Sequence, residues 1–231
     1  MEVTRDMVTF PRVAPPAIVY LENHEESAIG LGTARFGVTS LTAHCLVVVS
    51  DHAGTHIDAM RHVVPDAPGA EGIPLEYCFG DGVVLDFRDK EFGHEITVED
   101  LQRSLDAIGY VLKPLDIVLI MTGADKWNTT KNYLTDHCGM TREATIWLLD
   151  RGIKVIGIDA ITFDPPIWSM FDRGRYWEAH RVMWEREYYH VENLVNLDAI
   201  PRPHGFKVSM LPIKWKGATA APVRAVAIVE E

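Results

Sequence analysis

Six apolar, β-branched runs punctuate the chain: 43–49 (AHCLVVV), 82–88 (GVVLDFR), 116–122 (DIVLIMT), 153–158 (IKVIGI), 206–211 (FKVSML) and 222–229 (PVRAVAIV). Their length and composition predict strands. Two stretches carry the 3.6-residue period of a helix instead. Thr97 and Asp100 resemble a capping box leading into Val98–Ile108, where Leu101, Leu105 and Ile108 share a face and Gly109 follows the end. Thr141 caps a second helix, Arg142–Arg151, with Ala144, Leu148 and Leu149 apolar and Gly152 as its stop. The order strand, helix, strand between 116 and 158 reads as a βαβ unit, which implies a parallel pair. Many strands with few helices predict an α/β or mixed α+β domain. The proline-rich stretch 11–16 (PRVAPP) reads as extended, within an N-terminal arm over 1–34, and 1–231 reads as a single domain.

Composition narrows the function. The chain has 231 residues, 22 Lys+Arg against 33 Asp+Glu, and a net charge of -11. On average it repels phosphate, which argues against nucleic acid and against a polybasic membrane anchor. The three cysteines, Cys45, Cys78 and Cys138, form no paired framework. That sparse set fits a reducing compartment, so the expected location is cytoplasmic. The first residues do not read as a signal peptide, and no apolar run is long enough to span a bilayer.

Candidate chemistry is concentrated in His52-Ala-Gly-Thr-His56-Ile-Asp58-Ala-Met-Arg-His62, directly after the run 43–49, which reads as a buried strand. Ligands in α/β proteins commonly sit at the carboxyl ends of strands. On a helix, His52 and His56 would share a face but Asp58 would point elsewhere. On a strand, residues four apart are about 13 Å distant, too far for one ion. A bend at Gly54, where positive φ costs little, brings His52, His56 and Asp58 together. Two imidazoles and a carboxylate suit Zn²⁺, Mn²⁺ or Fe²⁺ with positions left for water. Metal binding is preferred here to a loop of surface histidines. His62 is either a further ligand or an unliganded proton shuttle.

A second polar set, Glu178, His180, Glu185, Glu187, His190 and Glu192, occurs late in the chain. On one helix His180 and Glu192 would lie about 18 Å apart, so they meet only if the helix breaks. Tyr188–Val191 favours an extended exit, which makes room for a break. Spacing alone nevertheless favours an amphipathic helix with a solvated acidic face.

The pattern HxGTHxDxxxH from His52 to His62 resembles the signature of the metal-dependent cyclase-like hydrolases. That family includes bacterial kynurenine formamidases, isatin hydrolases and trans-dienelactone hydrolases. Met121–Lys126 (MTGADK), Gly139–Ala144 (GMTREA), Gly157–Asp159 and Leu211–Ile228 also resemble its segments, so the likeness spans roughly 35–230. It implies a swivelling β/β/α domain that is usually a homodimer or higher oligomer. It implies that His52, His56 and Asp58 hold one divalent ion, Zn²⁺ or Mn²⁺. Asp58 and Glu192 would bridge to a second ion that His180 also binds, and His62 would be the catalytic acid/base. Glu178, Glu185, Glu187 and His190 are left as surface or supporting groups. The implied activity is hydrolysis of an amide C–N bond in a small aromatic or cyclic substrate. A lactone or ester hydrolase, or a non-catalytic metal-stabilised binding protein, are the alternatives. Two departures are visible: Met60 stands where formamidases typically carry proline, and the N-terminus lacks the family's usual opening strand motif. The segment Ile161–Ile167 is expected to bear on specificity. Trp127, Phe163, Trp168, Phe171 and Trp177 are candidate pocket aromatics, each weighed against an ordinary place in the core.

Overall fold

The structure is a computed structural model and describes residues 1–230. In chain order its regular elements are β1 (Ala17–Glu22), α1 (His24–Gly30), β2 (His44–Val48), β3 (His56–Asp58), β4 (Phe79–Asp86), β5 (Glu95–Ile96), α2 (Val98–Ile108) and β6 (Ile117–Met121). They continue with β7 (Gly139–Met140), α3 (Arg142–Leu149), β8 (Val155–Ile158), α4 (Ile167–Arg173), β9 (Tyr189–Glu192), β10 (His204–Ser209), β11 (Ala220–Pro222) and β12 (Val226–Ile228). Short 3-10 turns fill many of the connections. Among the described residues, no helix is long and apolar enough to cross a membrane.

Eight strands form the main sheet in the order β11-β3-β9-β8-β6-β4-β10-β12. The middle four, β4, β6, β8 and β9, run parallel, and the outer pairings are antiparallel. Every residue of β6 is buried, as expected of a parallel strand covered on both faces. One face packs Val118, Ile120 and Ile156 against Leu101 and Leu105 of α2 and Leu148 of α3. The other packs Leu119, Val155, Ile57 and Val191 with Phe206 and Met210. The α2 capping box forms as expected, with Gly109 left-handed at φ 64.

The sheet must curl. The run 222–229 is not one strand: Ala220–Pro222 lies on one edge and Val226–Ile228 on the other. Four residues span at most about 14 Å, whereas the edges of a flat eight-stranded sheet would be roughly 34 Å apart. Arg224, at the break, belongs to neither strand. The mixed α/β class expected from the sequence is what is found.

Two local expectations need correction. The run 43–49 does form a strand, but not a buried one. β2 pairs only with β1, antiparallel, in a separate two-stranded ribbon, and all five of its residues are exposed. An apolar run indicates extended backbone, not what covers it. The proline stretch is not wholly extended: Arg12 has φ 78 and Val13 N–H bonds to Phe10 O at 2.9 Å. Pro11 supplies the first central position of a tight turn.

β5 and β7 form a small parallel pair beside the segment that enters α4. A Cβ on Gly139 would stand 2.2 Å from the Asp164 carbonyl carbon, so the backbones meet here at glycine distance. Gly139→Ala is expected to cost about 1–3 kcal/mol by overpacking. In a chain of this size that is a fall of roughly 3–10 °C in Tm. A thermal melt indistinguishable from wild type would contradict this packing.

Candidate metal centre

The register of β3 on β9 builds the centre. His56 lies opposite Glu192 and Ile57 opposite Val191. Alternation sends Ile57 and Val191 into the core and raises His56 and Asp58 on the other face. His190 and Glu192 rise on that face directly across. Gly54, at φ 72, then turns the preceding chain back, as the sequence required. His52 Nδ1 comes within 3.0 Å of Asp58 Oδ1 and 3.2 Å of His56 Nε2. His56 Nε2 lies 3.1 Å from the same carboxylate oxygen and 3.6 Å from Glu192 Oε2.

His180 arrives from a 3-10 turn, His180–Trp184, so the chain does break before β9. Asp164 fixes it by accepting the Ala179 and His180 backbone N–H groups at 2.9 and 3.1 Å and the His180 Nδ1–H at 2.5 Å. His180 Nε2 is thereby aimed inward, 3.4 Å from Glu192 Oε1 and 3.7 Å from Asp58 Oδ2. His56 Nδ1–H donates to Gly54 O at 2.9 Å. His52 Nε2 meets Thr219 Oγ1 at 2.9 Å, and that hydroxyl donates to Asp51. Three imidazoles thus have their outer nitrogens tied, which leaves a lone pair on each inner nitrogen. This is the arrangement that orients histidine ligands.

Asp58 is the test of whether a cation fits. It is 0% exposed, and neither carboxylate oxygen has a hydrogen-bond partner of acceptable geometry among the described residues. Imidazole nitrogens crowd it at 3.0–3.1 Å without pointing N–H bonds at it. Two sets of donor atoms result: His52, His56 and Asp58, and Asp58, His180, His190 and Glu192. Nitrogen and carboxylate donors in such sets fit Zn²⁺ or Mn²⁺.

The electrostatics agree. Burial opposes the ionised form of Asp58, yet His52, His62 and His190 hold its carboxyl well below the usual range. Burial likewise opposes the charge on His56, but Asp58 and Glu192 outweigh it and hold its pKa up at about 9. His180 is raised as well, against burial, by Asp164 and Glu192. The two carboxylates retain positive charge, proton or metal cation alike. Burial raises the Cys78 and Cys138 thiols to about 12, so neither serves as a nucleophile at neutral pH.

The centre opens on a cavity of about 350 Å³ lined in part by Phe10, Val13, Ile161, Trp177 and Arg181. Phe10 and Trp177 meet edge-on with ring centroids 6.4 Å apart. His62, one-third exposed, lies on the same wall, 4.3 Å from His52 ring to ring and 3.7 Å from Asp58 Oδ2. A larger cleft of about 720 Å³, near Asp86, Arg88 and Asp100, shares no residue with this centre.

Every candidate residue named from the sequence, His52, His56, Asp58, His62, His180 and Glu192, falls within this cluster or on its cavity wall. Glu185 and Glu187 are exposed, and Glu178 pairs with Arg175 at 2.6 Å. Of the surface or supporting places expected for His190, the surface one is excluded: it is fully buried inside the cluster. The His-x-Glu alternation at 190–192 mirrors His-x-Asp at 56–58, a signal that has meaning only once the strands are paired. Ile161–Ile167 braces the site as well as lining it. Phe163 N–H donates to Glu192 Oε1 at 2.8 Å, and its ring stacks on His190. Of the candidate aromatics, Trp177 lines the cavity, whereas Trp127, Trp168 and Phe171 are exposed elsewhere. The N-terminal arm's part in covering the cavity was not legible beforehand.

The curled mixed sheet is shared with proteins of known structure and family. The family model described as "Putative cyclase" matches residues 1–165, and the chain belongs to that family. A kynurenine formamidase of Bordetella petrii is 32% identical over 193 residues, covering 81% of this chain and 83% of that protein. One from Bordetella avium is 31% identical over 181 residues, covering 78% of each. In structure, isatin hydrolase A from Labrenzia aggregata superposes with a TM-score of 0.83 at 23% identity, covering 100% of this chain and 92% of that one.

The raised pKa of His56 has a consequence for stability. The folded protein holds this proton more tightly than the unfolded chain, whose histidines titrate near pH 6.5. The stabilisation is therefore full below about pH 6.5 and lost as pH rises toward about 9. His62, lowered to about 4 chiefly by burial, acts with the opposite sign and below that window. In excess chelator, Tm is expected to fall between pH 6.5 and 9, and to fall less in His56→Gln. A wild-type Tm that rises across this window would contradict the assignment.

Proposed function

We propose that the protein is a metal-dependent hydrolase that cleaves an amide C–N bond in a small aromatic or cyclic substrate. The observation that carries this reading is the buried, unpartnered Asp58 carboxylate, ringed by imidazoles at the floor of a largely apolar cavity. His52, His56 and Asp58 would hold one ion, and Asp58, His180 and Glu192 a second. The donor set suits Zn²⁺ or Mn²⁺. A divalent ion bound there lowers the pKa of water toward neutrality and polarises a carbonyl. The kynurenine formamidase relatives and the isatin hydrolase likeness support C–N bonds as the target.

The chain's own residues do the rest. Phe10 and Trp177, packed edge-on, form an apolar wall against which a planar ring can lie away from water, and Arg181 places a cationic side chain on the cavity wall for an anionic group. His62 stands free of the inner donor sets and enters as the neutral base, its pKa lowered by burial. It takes a proton from the attacking water as the C–O bond forms. It returns that proton to the nitrogen as the C–N bond breaks, giving an acid and an amine. Asp164 keeps His180 in place throughout by holding its Nδ1–H.

We read 1–231 as a single domain with 1–34 as an N-terminal arm, acting in the cytoplasm as a homodimer or higher oligomer. The ribbon of β1 and β2 supports self-association: it exposes Tyr20, Leu21, Leu46, Val47 and Val48, and a lone two-stranded ribbon is only marginally stable.

The test is turnover of N-formylkynurenine, isatin and a lactone by metal-loaded and chelated protein. Loaded protein is expected to cleave an amide and chelated protein none. His62→Ala is expected to lose about 10²–10⁴-fold in turnover with metal content unchanged. Turnover indifferent to chelation contradicts the reading, preference for the lactone reassigns the bond, and metal loss in His62→Ala makes His62 a ligand. Tight metal binding with no turnover on any panel member would favour a binding protein.

A further inference from the structure

His190 lies outside the ligand set that the family resemblance implies, yet its Nε2 sits among the donor atoms of that set, although its outer Nδ1 has no hydrogen-bond partner among the described residues. It stands two residues before Glu192 on β9 and faces Asp58 on β3, fully buried. Its Nε2 is 3.0 Å from Asp58 Oδ2, 3.2 Å from His180 Nε2 and 3.6 Å from Glu192 Oε1. His180 Nε2 is itself 3.7 Å from Asp58 Oδ2 and 3.4 Å from Glu192 Oε1. Donors about 2.0–2.2 Å from one tetrahedrally bound ion stand roughly 3.3–3.6 Å from one another. The five distances scatter about that separation.

The competing account makes His190 a mere hydrogen-bond donor to Asp58. Geometry opposes it, because Asp58 Oδ2 has no partner of hydrogen-bond geometry despite the short distance. The ring is also fixed in plane. It stacks on Phe163 with centroids 4.8 Å apart and 10° between planes, and Phe163 is tied by its N–H to Glu192.

We propose that His190 is a fourth protein ligand of the second ion, with Asp58 Oδ2, His180 Nε2 and Glu192 Oε1. The second site is then closed by protein donors, as structural metal sites are. The first site, with His52 Nδ1, His56 Nε2 and Asp58 Oδ1 mutually 3.0–3.2 Å apart, keeps the open position. The second site would then hold the Asp58 and Glu192 carboxylates in place, while the first would stay accessible beside His62 on the cavity wall. This inference rests on the two-ion reading of the preceding section.

The test is Co²⁺ titration of metal-stripped wild type, His190→Phe and His190→Leu, followed by equilibrium dialysis and visible absorption. Wild type is expected to bind two ions, one of them giving the intense band of four-coordinate cobalt. Both variants are expected to retain the first ion, lose that band and weaken the second ion by more than about 100-fold. That exceeds the loss from removing an outer hydrogen-bond partner alone. Variants with wild-type affinity and absorption overturn the inference. So does a second wild-type ion with the faint absorption of six-coordinate cobalt, a result independent of whether the variants fold. One ion in wild type overturns this inference while leaving a metal-dependent hydrolase standing, and no ion in wild type overturns that reading too.

Discussion

A carboxylate cannot remain ionised in a protein interior without compensating charge, and Asp58 is wholly buried. The effective penalty of burying an ion is several kcal/mol. Here it is met by an unusual concentration of imidazoles: His52, His56 and His190 lie within 3.1 Å of its oxygens, and His62 and His180 at 3.7 Å. The rest of the centre can be understood as the framework that holds those rings in place. Gly54 turns His52 inward, Asp164 fixes His180, and the antiparallel register of β3 on β9 lines up His56, Asp58, His190 and Glu192. Two carboxylates in so small a volume would repel each other. Cationic charge between them makes the arrangement tenable.

The fold supplies that framework through sheet curvature. In the parallel centre of the sheet, β6, β8 and β9 are buried along their whole length. The short antiparallel strands β3 and β11 sit at one edge, beside β9. A three-residue strand adds little stability of its own, but it sets side-chain direction with the precision of a ladder. Loops then complete the site from remote parts of the chain. Phe10 and Val13 come from the N-terminal arm, Trp177 from the loop after α4, and Thr219, which braces His52, from the approach to β11.

Much of this was legible in the residues. The β-branched runs at 116–122 and 153–158 formed the expected parallel strands, and the capping box at Thr97 and Asp100 started its helix where expected. The need for a turn at Gly54 followed from the spacing of His52, His56 and Asp58 alone. The limits were equally physical. The run 43–49 looks buried because valine-rich extended chain looks the same in a core and in an exposed ribbon. His190 looked incidental because cross-strand register is a property of two segments and is absent from either one. Asp164 was marked only as part of the segment Ile161–Ile167, and its own role stayed hidden because its work is to hold a ring sixteen residues away.

The central claim is that cations lie on both sides of Asp58, and anomalous diffraction from crystals grown with zinc or manganese tests it most directly. The expected map holds two strong peaks. One is shared by His52, His56 and Asp58, the other by Asp58, His180, His190 and Glu192. A map at saturating metal with no anomalous density beside Asp58, and with its carboxylate paired instead to protonated imidazoles, would contradict the account.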